Sequence, residues 1–92
     1  MTILTTMAIR IIKEQELIIG PIAWDEAKKV QGMTVQYEKR EVTLQQDEPG
    51  VVDRLVSQYE RLFGRASREV CKEAVRDIIS ELPQDQLPTA LR

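Results

Sequence analysis

The second half of the chain has the most regular pattern of apolar and polar residues. Between positions 51 and 63 the apolar residues recur at spacings of one, three and four, which is typical of an amphipathic α-helix. A helix-start cluster precedes this run and consists of Asp47, Glu48 and Pro49. Gly64 ends the run, so the pattern predicts a first helix that stops there.

A second helix is predicted after only a few intervening residues. Ser67 can cap its start, and apolar residues continue at helical spacing to Leu82. Pro83 cannot extend the helix, because it lacks a backbone N–H and its ring clashes with the preceding turn. Two amphipathic helices this close in sequence form an antiparallel helical hairpin, which we assign to residues 47–83.

The isoleucine-rich start of the chain is ambiguous in its period. The segments AIRIIKE and ELIIG are short, rich in β-branched residues and followed by Gly20 and Pro21, which favours strands. A helix from about Thr6 to Ile19 would also place the apolar residues usefully. We predict strands here, with the helix as the alternative.

The rest of the first half predicts one short helix and a β-hairpin. PIAWDEAKKV starts with Pro21, which suits a first helical turn, carries acids early and lysines late, and is followed by Gly32. In MTVQYEKREVTLQ the alternation that begins at Met33 is out of step with the one that begins at Val42. We therefore expect two strands joined by a turn near EKRE, with a single bulged strand as the alternative.

Together these elements predict one α+β domain over residues 1–92. A small sheet of short antiparallel strands with one short helix, over residues 7–46, packs against the helical hairpin, because the joint apolar face of two helices needs a cover. Residues 84–92 then form a tail that is loose or docks through Leu87 and Leu91.

Composition and charge limit the classes of partner. A hydrophobic fraction of 42% and a charged fraction of 30% over 92 residues are those of a folded globular domain. The net charge of −2 gives no general attraction to nucleic acids or anionic membranes. Cys71 is the one cysteine, so no disulfide forms within the chain, and no apolar run approaches the roughly 20 residues that span a bilayer. We expect a cytoplasmic protein that does not enter a membrane.

The residue types that carry most enzyme chemistry are missing or isolated. The chain has no histidine and one thiol, so the usual ligands of a zinc site are not available within it. Its four glycines are scattered singly, which excludes a glycine-rich phosphate loop. Cys71 fits a small core residue and Ser67 a helix cap, so neither is expected to be a nucleophile. The sequence predicts no enzymatic activity, metal or cofactor.

Like charges are stacked along two neighbouring stripes of the second predicted helix. The basic stripe consists of Arg65, Arg68, Lys72 and Arg76. Acids at positions 69, 73 and 77 form the other stripe, and both lie away from the apolar face. Opposite charges three residues apart offset much of the repulsion, so a solvated face is the simpler interpretation. The functional interpretation is a surface that recognises a complementary protein or a second copy of the chain.

Trp24, the sole tryptophan, is the other candidate contact. It lies at the edge of the apolar arc of its helix, so we expect it to be half exposed, either as an anchor for a partner or as a ring that closes over the core. By elimination, the predicted function is a non-catalytic protein-interaction or regulatory module that self-associates through Trp24 and the basic stripe. The alternatives are a nucleic-acid-binding regulator that uses the basic face of the helical hairpin, and an accessory subunit of an enzyme complex.

Overall fold

Helices make up most of the chain in the computed structural model, which describes residues 2–46 and 48–91. The elements in chain order are α1 (Ile3–Ile19), α2 (Ile22–Ala27), β1 (Met33–Gln36), β2 (Glu41–Leu44), α3 (Pro49–Phe63) and α4 (Ala66–Ala74). Short 3-10 turns follow at Tyr37–Lys39, Ile79–Glu81, Gln84–Gln86 and Thr89–Leu91. One small antiparallel sheet packs against helices, which confirms the predicted α+β class.

The isoleucine-rich start forms a helix, so the predicted strands over residues 7–19 are wrong and the helical alternative is right. Thr2 caps α1, because its Oγ1 accepts a hydrogen bond from the N–H of Thr5 at 3.2 Å. Gly20 ends the helix with a φ of 82°, a conformation that glycine adopts without strain. Burial overrides the weak helix preference of isoleucine here, since Ile11 and Ile12 are completely enclosed.

Helix α1 is the element around which the others are arranged. It contacts α2, α3, α4 and β2. Two ion pairs attach it to its neighbours: Arg10 pairs with Asp77, and Glu16 pairs with Arg40 at 2.6 Å. The central position explains why α1 buries a wide apolar face and leaves its charged residues on the rim.

The predicted β-hairpin is present, and its turn contains no glycine. Strands β1 and β2 pair antiparallel with Val35 opposite Val42. The chain turns through Tyr37–Lys39 and then Arg40, whose φ of 53° is left-handed. The guanidinium of Arg40 lies 4.9 Å from the centre of the Tyr37 ring and 5.5 Å from that of Trp24, and these contacts offset the strain of the left-handed backbone.

Helix α3 has the predicted extent, whereas the second helix of the hairpin is shorter than predicted. Asp47, the first residue of the predicted start cluster, lies outside the described residues; Pro49 begins α3 and Gly64 follows its last residue. Helix α4 ends at Ala74 rather than near Leu82.

The chain turns after Ala74 because the residues beyond it are needed against the core. Val75 is completely buried, and Ile78 and Ile79 pack against the core cluster. All three are β-branched and lose side-chain freedom in a helix, so an irregular path costs them little. Ser67 is buried rather than acting as the expected cap, and no described side chain caps the start of α4.

The tail docks on α3, which was one of the two expectations; the other was a loose tail. The Asp53 carboxylate accepts hydrogen bonds from the N–H groups of Thr89 at 3.2 Å and Ala90 at 2.8 Å. Leu91 is buried and Leu87 is half-buried. Over residues 2–46 and 48–91, none of the helices combines the length and the apolar character needed to cross a membrane.

Candidate interaction surface

The basic stripe is largely neutralised by acids of the same chain. Arg68 makes two hydrogen bonds to Glu60 on α3, one from Nε at 2.7 Å and one from Nη2 at 2.9 Å. These bonds lower the pKa of Glu60 and raise the pKa of Arg68. Arg68 is thus committed to holding α4 against α3 rather than to a partner.

The next two bases of the stripe pair within their own segment. Lys72 lies 3.9 Å from Glu69, and Arg76 lies 2.9 Å from Glu73. Arg76 also falls beyond the end of α4, so the four bases do not continue along one helix as expected. Among the described residues, Arg65 is the member of the stripe with no ion pair, and it lines a cleft of about 410 Å³ with Glu60, Arg68 and Glu69.

Trp24 is in the core, so the expected half exposure is wrong, whereas the alternative of a ring that packs on the protein's own core is right. Its exposed fraction is 1%. The β-hairpin covers it, since the Tyr37 ring centre is 6.0 Å away and Arg40 lies over the indole. Sequence reasoning placed Trp24 from the period of α2 alone, without the hairpin that closes over it. The contact surface has to be sought elsewhere.

The exposed apolar residues supply a surface that the sequence analysis missed. Five large apolar side chains of the described residues are exposed, namely Leu17 (80%), Ile18 (62%), Ile22 (45%), Leu62 (46%) and Phe63 (39%). We call this set the apolar end. Exposed apolar side chains that are grouped on one surface are a common feature of interaction sites.

Two buried hydrogen bonds bring these residues to one end of the molecule. Gln15, near the end of α1, donates from its side chain to the Ser67 carbonyl at the start of α4, at 3.2 Å. The Tyr59 hydroxyl, near the end of α3, donates to the Ala23 carbonyl at the start of α2, at 2.6 Å. The turn between α1 and α2 therefore lies against the turn between α3 and α4, and the five residues lie in the helix ends that flank these turns.

Three members of the apolar end continue the core-facing stripe of their helices. Ile18 follows the buried Ile11 by seven residues, or two helical turns. Leu62 and Phe63 follow the buried Tyr59 by three and four. Both helices therefore extend about one turn past the point where the core ends. The sequence does contain a signal for this surface, namely the apolar stripes of these two helices, but the sequence analysis assigned them entirely to the protein's own core.

Charged residues flank the apolar end on both sides. Glu14 and Asp25 are exposed beside the α1–α2 turn, and Arg61 and Arg65 are exposed beside the α3–α4 turn. The six ion pairs found within residues 2–46 and 48–91 include none of these four. Arg61 and Arg65 lie close enough to Glu26 and Glu60 of their own chain to interact electrostatically with these carboxylates.

The remaining candidate, Cys71, is enclosed. Its Sγ lies 3.6 Å from the side-chain nitrogen of Gln15, and burial raises the pKa of the thiol to about 11. A buried, protonated thiol is a poor nucleophile. In the described part of the chain, no group of three or more acids and cysteines is placed to hold a metal ion.

Comparison of the chain with protein-family models, with curated proteins and with solved structures gives no match.

Proposed function

We propose that this protein is a non-catalytic interaction module that self-associates through its apolar end. The observation that supports the proposal is the group of five exposed apolar side chains, three of which extend buried helix stripes beyond the core. Helices end this way when another surface completes the core. A second copy is the occupant that the flanking charges favour, because both signs of charge border the same surface.

The size of the domain makes this association useful. A chain of 92 residues buries a smaller share of its surface on folding than a larger domain does. A stable dimer covers about 800 Å² on each copy, against a total accessible surface of 5377 Å². The apolar end with its charged border would form an interface of this kind, with an apolar centre and a polar rim.

The nucleic-acid alternative has less support. Arg68, Lys72 and Arg76 lie 2.7–3.9 Å from carboxylates of their own chain, so their charge is offset before a phosphate approaches. An apolar surface also adds nothing to the binding of a phosphate backbone. The affinity of a protein for that backbone comes from Lys and Arg side chains without a carboxylate partner and from the release of counterions.

The test is the mass of the protein in solution as its concentration rises. For the wild type we expect light scattering between about 1 and 200 µM to move from the mass of one chain, 10.6 kDa, towards twice that mass. The double variant Ile18→Glu, Phe63→Glu should weaken association by about 100-fold or more, because it places charges in the apolar centre. Circular dichroism checks that the variant is folded.

A matched control uses an apolar residue outside the apolar end. Leu87 is half-buried and lines a groove with Ile79 and Leu91 in the C-terminal region. Leu87→Glu should leave self-association within about twofold of the wild type, since surface changes away from an interface have small effects. A wild type that keeps the mass of one chain throughout, or a Leu87 variant that dissociates as strongly as the double variant, would contradict the proposal.

A further inference from the structure

The acids that border the apolar end belong to its α1–α2 half. Glu14 precedes Ile18 by four residues on α1, and Asp25 follows Ile22 by three on α2. Residues at these spacings are neighbours on a helix surface. Each carboxylate therefore lies one turn from an exposed apolar side chain.

Lys13 does not cancel this acidic border. Around the axis of α1, Glu14 lies about 40° from Ile18 and about 60° from Leu17, whereas Lys13 lies about 140° from Ile18 and about 40° from Leu17. Lys28 also lies farther from the end than Asp25, because α2 runs away from its first residue, Ile22. Two acids, Glu14 and Asp25, and one base, Lys13, thus lie within one turn of the apolar side chains of this half, so its border is acidic on balance.

The bases that border the apolar end belong to its α3–α4 half. Arg61 precedes Leu62, and its Nη2 donates to the neutral side chain of Gln58 at 2.9 Å. Glu26 offsets part of the Arg61 charge at longer range, without a direct ion pair. Arg65 precedes α4 and lines the cleft beside Glu60 and Arg68. Since Glu60 is already bound by Arg68, Arg65 is the base of this cleft that can accept a new carboxylate.

Two arrangements of a second copy on this surface are distinguished by these charges. If each half faced the same half of the other copy, Arg65 would face Arg65 and Glu14 would face Glu14, which is repulsive. If each half faced the opposite half, every acid would face a base. A two-fold axis that lies in the interface along the boundary between the two halves gives the second arrangement and repeats each contact twice.

We infer that the self-association is a two-fold dimer in which Glu14 and Asp25 of one copy face Arg61 and Arg65 of the other. This inference rests on the proposed function and adds the orientation and the specificity of the dimer. A carboxylate of one copy enters the cleft of the other beside Arg65. The apolar residues supply most of the affinity, and the charges select the partner and the orientation.

Charge reversal tests this orientation. Arg61→Glu with Arg65→Glu, and separately Glu14→Arg with Asp25→Arg, should each raise the dissociation constant by about tenfold, because like charges then face each other. The variant with all four changes should associate within about threefold of the wild type, since every acid again faces a base across the two-fold axis. Sedimentation equilibrium gives the four dissociation constants, that of the wild type included. It is run at low ionic strength because salt screens exposed ion pairs.

A control separates orientation from net charge. Lys72→Glu with Arg76→Glu changes the net charge by the same amount as Arg61→Glu with Arg65→Glu, at positions toward the end of the α4 segment that is far from the apolar end. It should change the dissociation constant by less than about twofold at the same salt. If it weakens association as much as the reversal at 61 and 65, overall repulsion rather than a specific contact is responsible and the inference fails.

The outcomes also separate the inference from the proposed function. One outcome is that the variant with all four changes associates as weakly as the two double variants while Ile18→Glu with Phe63→Glu still abolishes association. In that case the apolar end is the interface but the acid-to-base arrangement is wrong. If the wild type has the mass of one chain at all concentrations, both fail. Recovery of association in the variant with all four changes supports the orientation, because a general charge effect would not restore association.

Discussion

Helix α3 lies in two different environments along its length. Val51, Val52 and Leu55 in its first half are at most 1% exposed, because α1, the segment before β1 and the docked tail surround them. Leu62 and Phe63 in its last turn belong to the same stripe and are about half exposed. The period of the helix is the same in both places. The two halves differ in whether other elements pack over the apolar face. An amphipathic pattern therefore shows which face of a helix is apolar but not where the core ends.

Helix α1 repeats the contrast at the same end of the molecule. Ile11 is enclosed, whereas Ile18, two turns later, is exposed. The exposed turns of both helices sit between well-fixed neighbours, since Gln15 is bonded to Ser67 and Tyr59 to Ala23. We call the enclosed region around Trp24, Leu55 and Tyr59 the closed part. The apolar end is a continuation of this part and not a frayed terminus.

The largest expected difference between the closed part and the apolar end is in the effect of removing a leucine side chain. Leu55→Ala leaves a cavity in the core and should lower the free energy of unfolding by about 3 kcal/mol. Leu62→Ala removes a half-exposed side chain and should lower it by less than about 1 kcal/mol in the monomer. Urea unfolding followed by circular dichroism at low protein concentration measures both.

An equal loss for the two leucine variants would break the contrast. It would mean that Leu62 is covered in the monomer. Repeating the measurement at high protein concentration sharpens the result, because the Leu62 variant should then lose additional stability if the dimer covers this residue.

A smaller effect is expected at the boundary between the two regions. Tyr59→Phe removes the buried hydrogen bond to the Ala23 carbonyl and should lower the free energy of unfolding by about 1–2 kcal/mol. Burial raises the pKa of the Tyr59 hydroxyl, so the group stays protonated and the loss should be the same at about pH 6 and pH 9.

Tyr37→Phe is the matched control for this change. Tyr37 is half-buried, and its ring carries the contact with Arg40. Loss of its hydroxyl should change the free energy of unfolding by less than about 0.5 kcal/mol. Equal losses for the two variants would show that the hydrogen bond of Tyr59 does not stabilise the boundary.

The smallest expected effect depends on pH and concerns the ion pair between Glu60 and Arg68, which joins α3 to α4. The hydrogen bonds from Arg68 lower the pKa of Glu60 below its ordinary value of 4.5. A carboxylate with a lowered folded-state pKa contributes stability above its unfolded pKa and loses it as the pH falls through the folded value. Glu60→Gln should therefore lower the urea midpoint slightly at neutral pH, and the difference from the wild type should shrink below about pH 4.5.

Glu69→Gln serves as the comparison for the pair. Its partner Lys72 lies at 3.9 Å, without the two short hydrogen bonds that Arg68 makes to Glu60. We expect a smaller change in the urea midpoint at neutral pH than for Glu60→Gln. A Glu60 difference that grows on acidification would be the wrong sign and would contradict the role of Arg68.

Periodicity and turn residues predicted the parts of the fold that local signals determine. Helix α3 begins at Pro49 and is followed by Gly64, and the β-hairpin shows a change of alternation between Met33 and Val42. The start of the chain could not be predicted in this way. Its isoleucines favour strands locally, and the burial of Ile11 against several helices, which outweighs that preference, is a tertiary effect.

The candidate site was less predictable for the same reason. Arg68 looked free because its acid, Glu60, lies eight residues away on another helix, and Trp24 looked half exposed because Arg40 and Tyr37 come from a later segment. The exposure of Phe63 depends on where the other helices end. Each of these facts concerns the relation between elements, which a periodic pattern does not contain.

The position of Trp24 provides a way to follow the chain by fluorescence. It is the sole tryptophan and is enclosed beneath Arg40 and Tyr37. Its emission should therefore be that of a buried indole, should shift to longer wavelength when the fold opens, and should not change when the apolar ends of two copies meet. Folding and the proposed assembly would have separate readouts in this molecule, because its one tryptophan lies in the closed part.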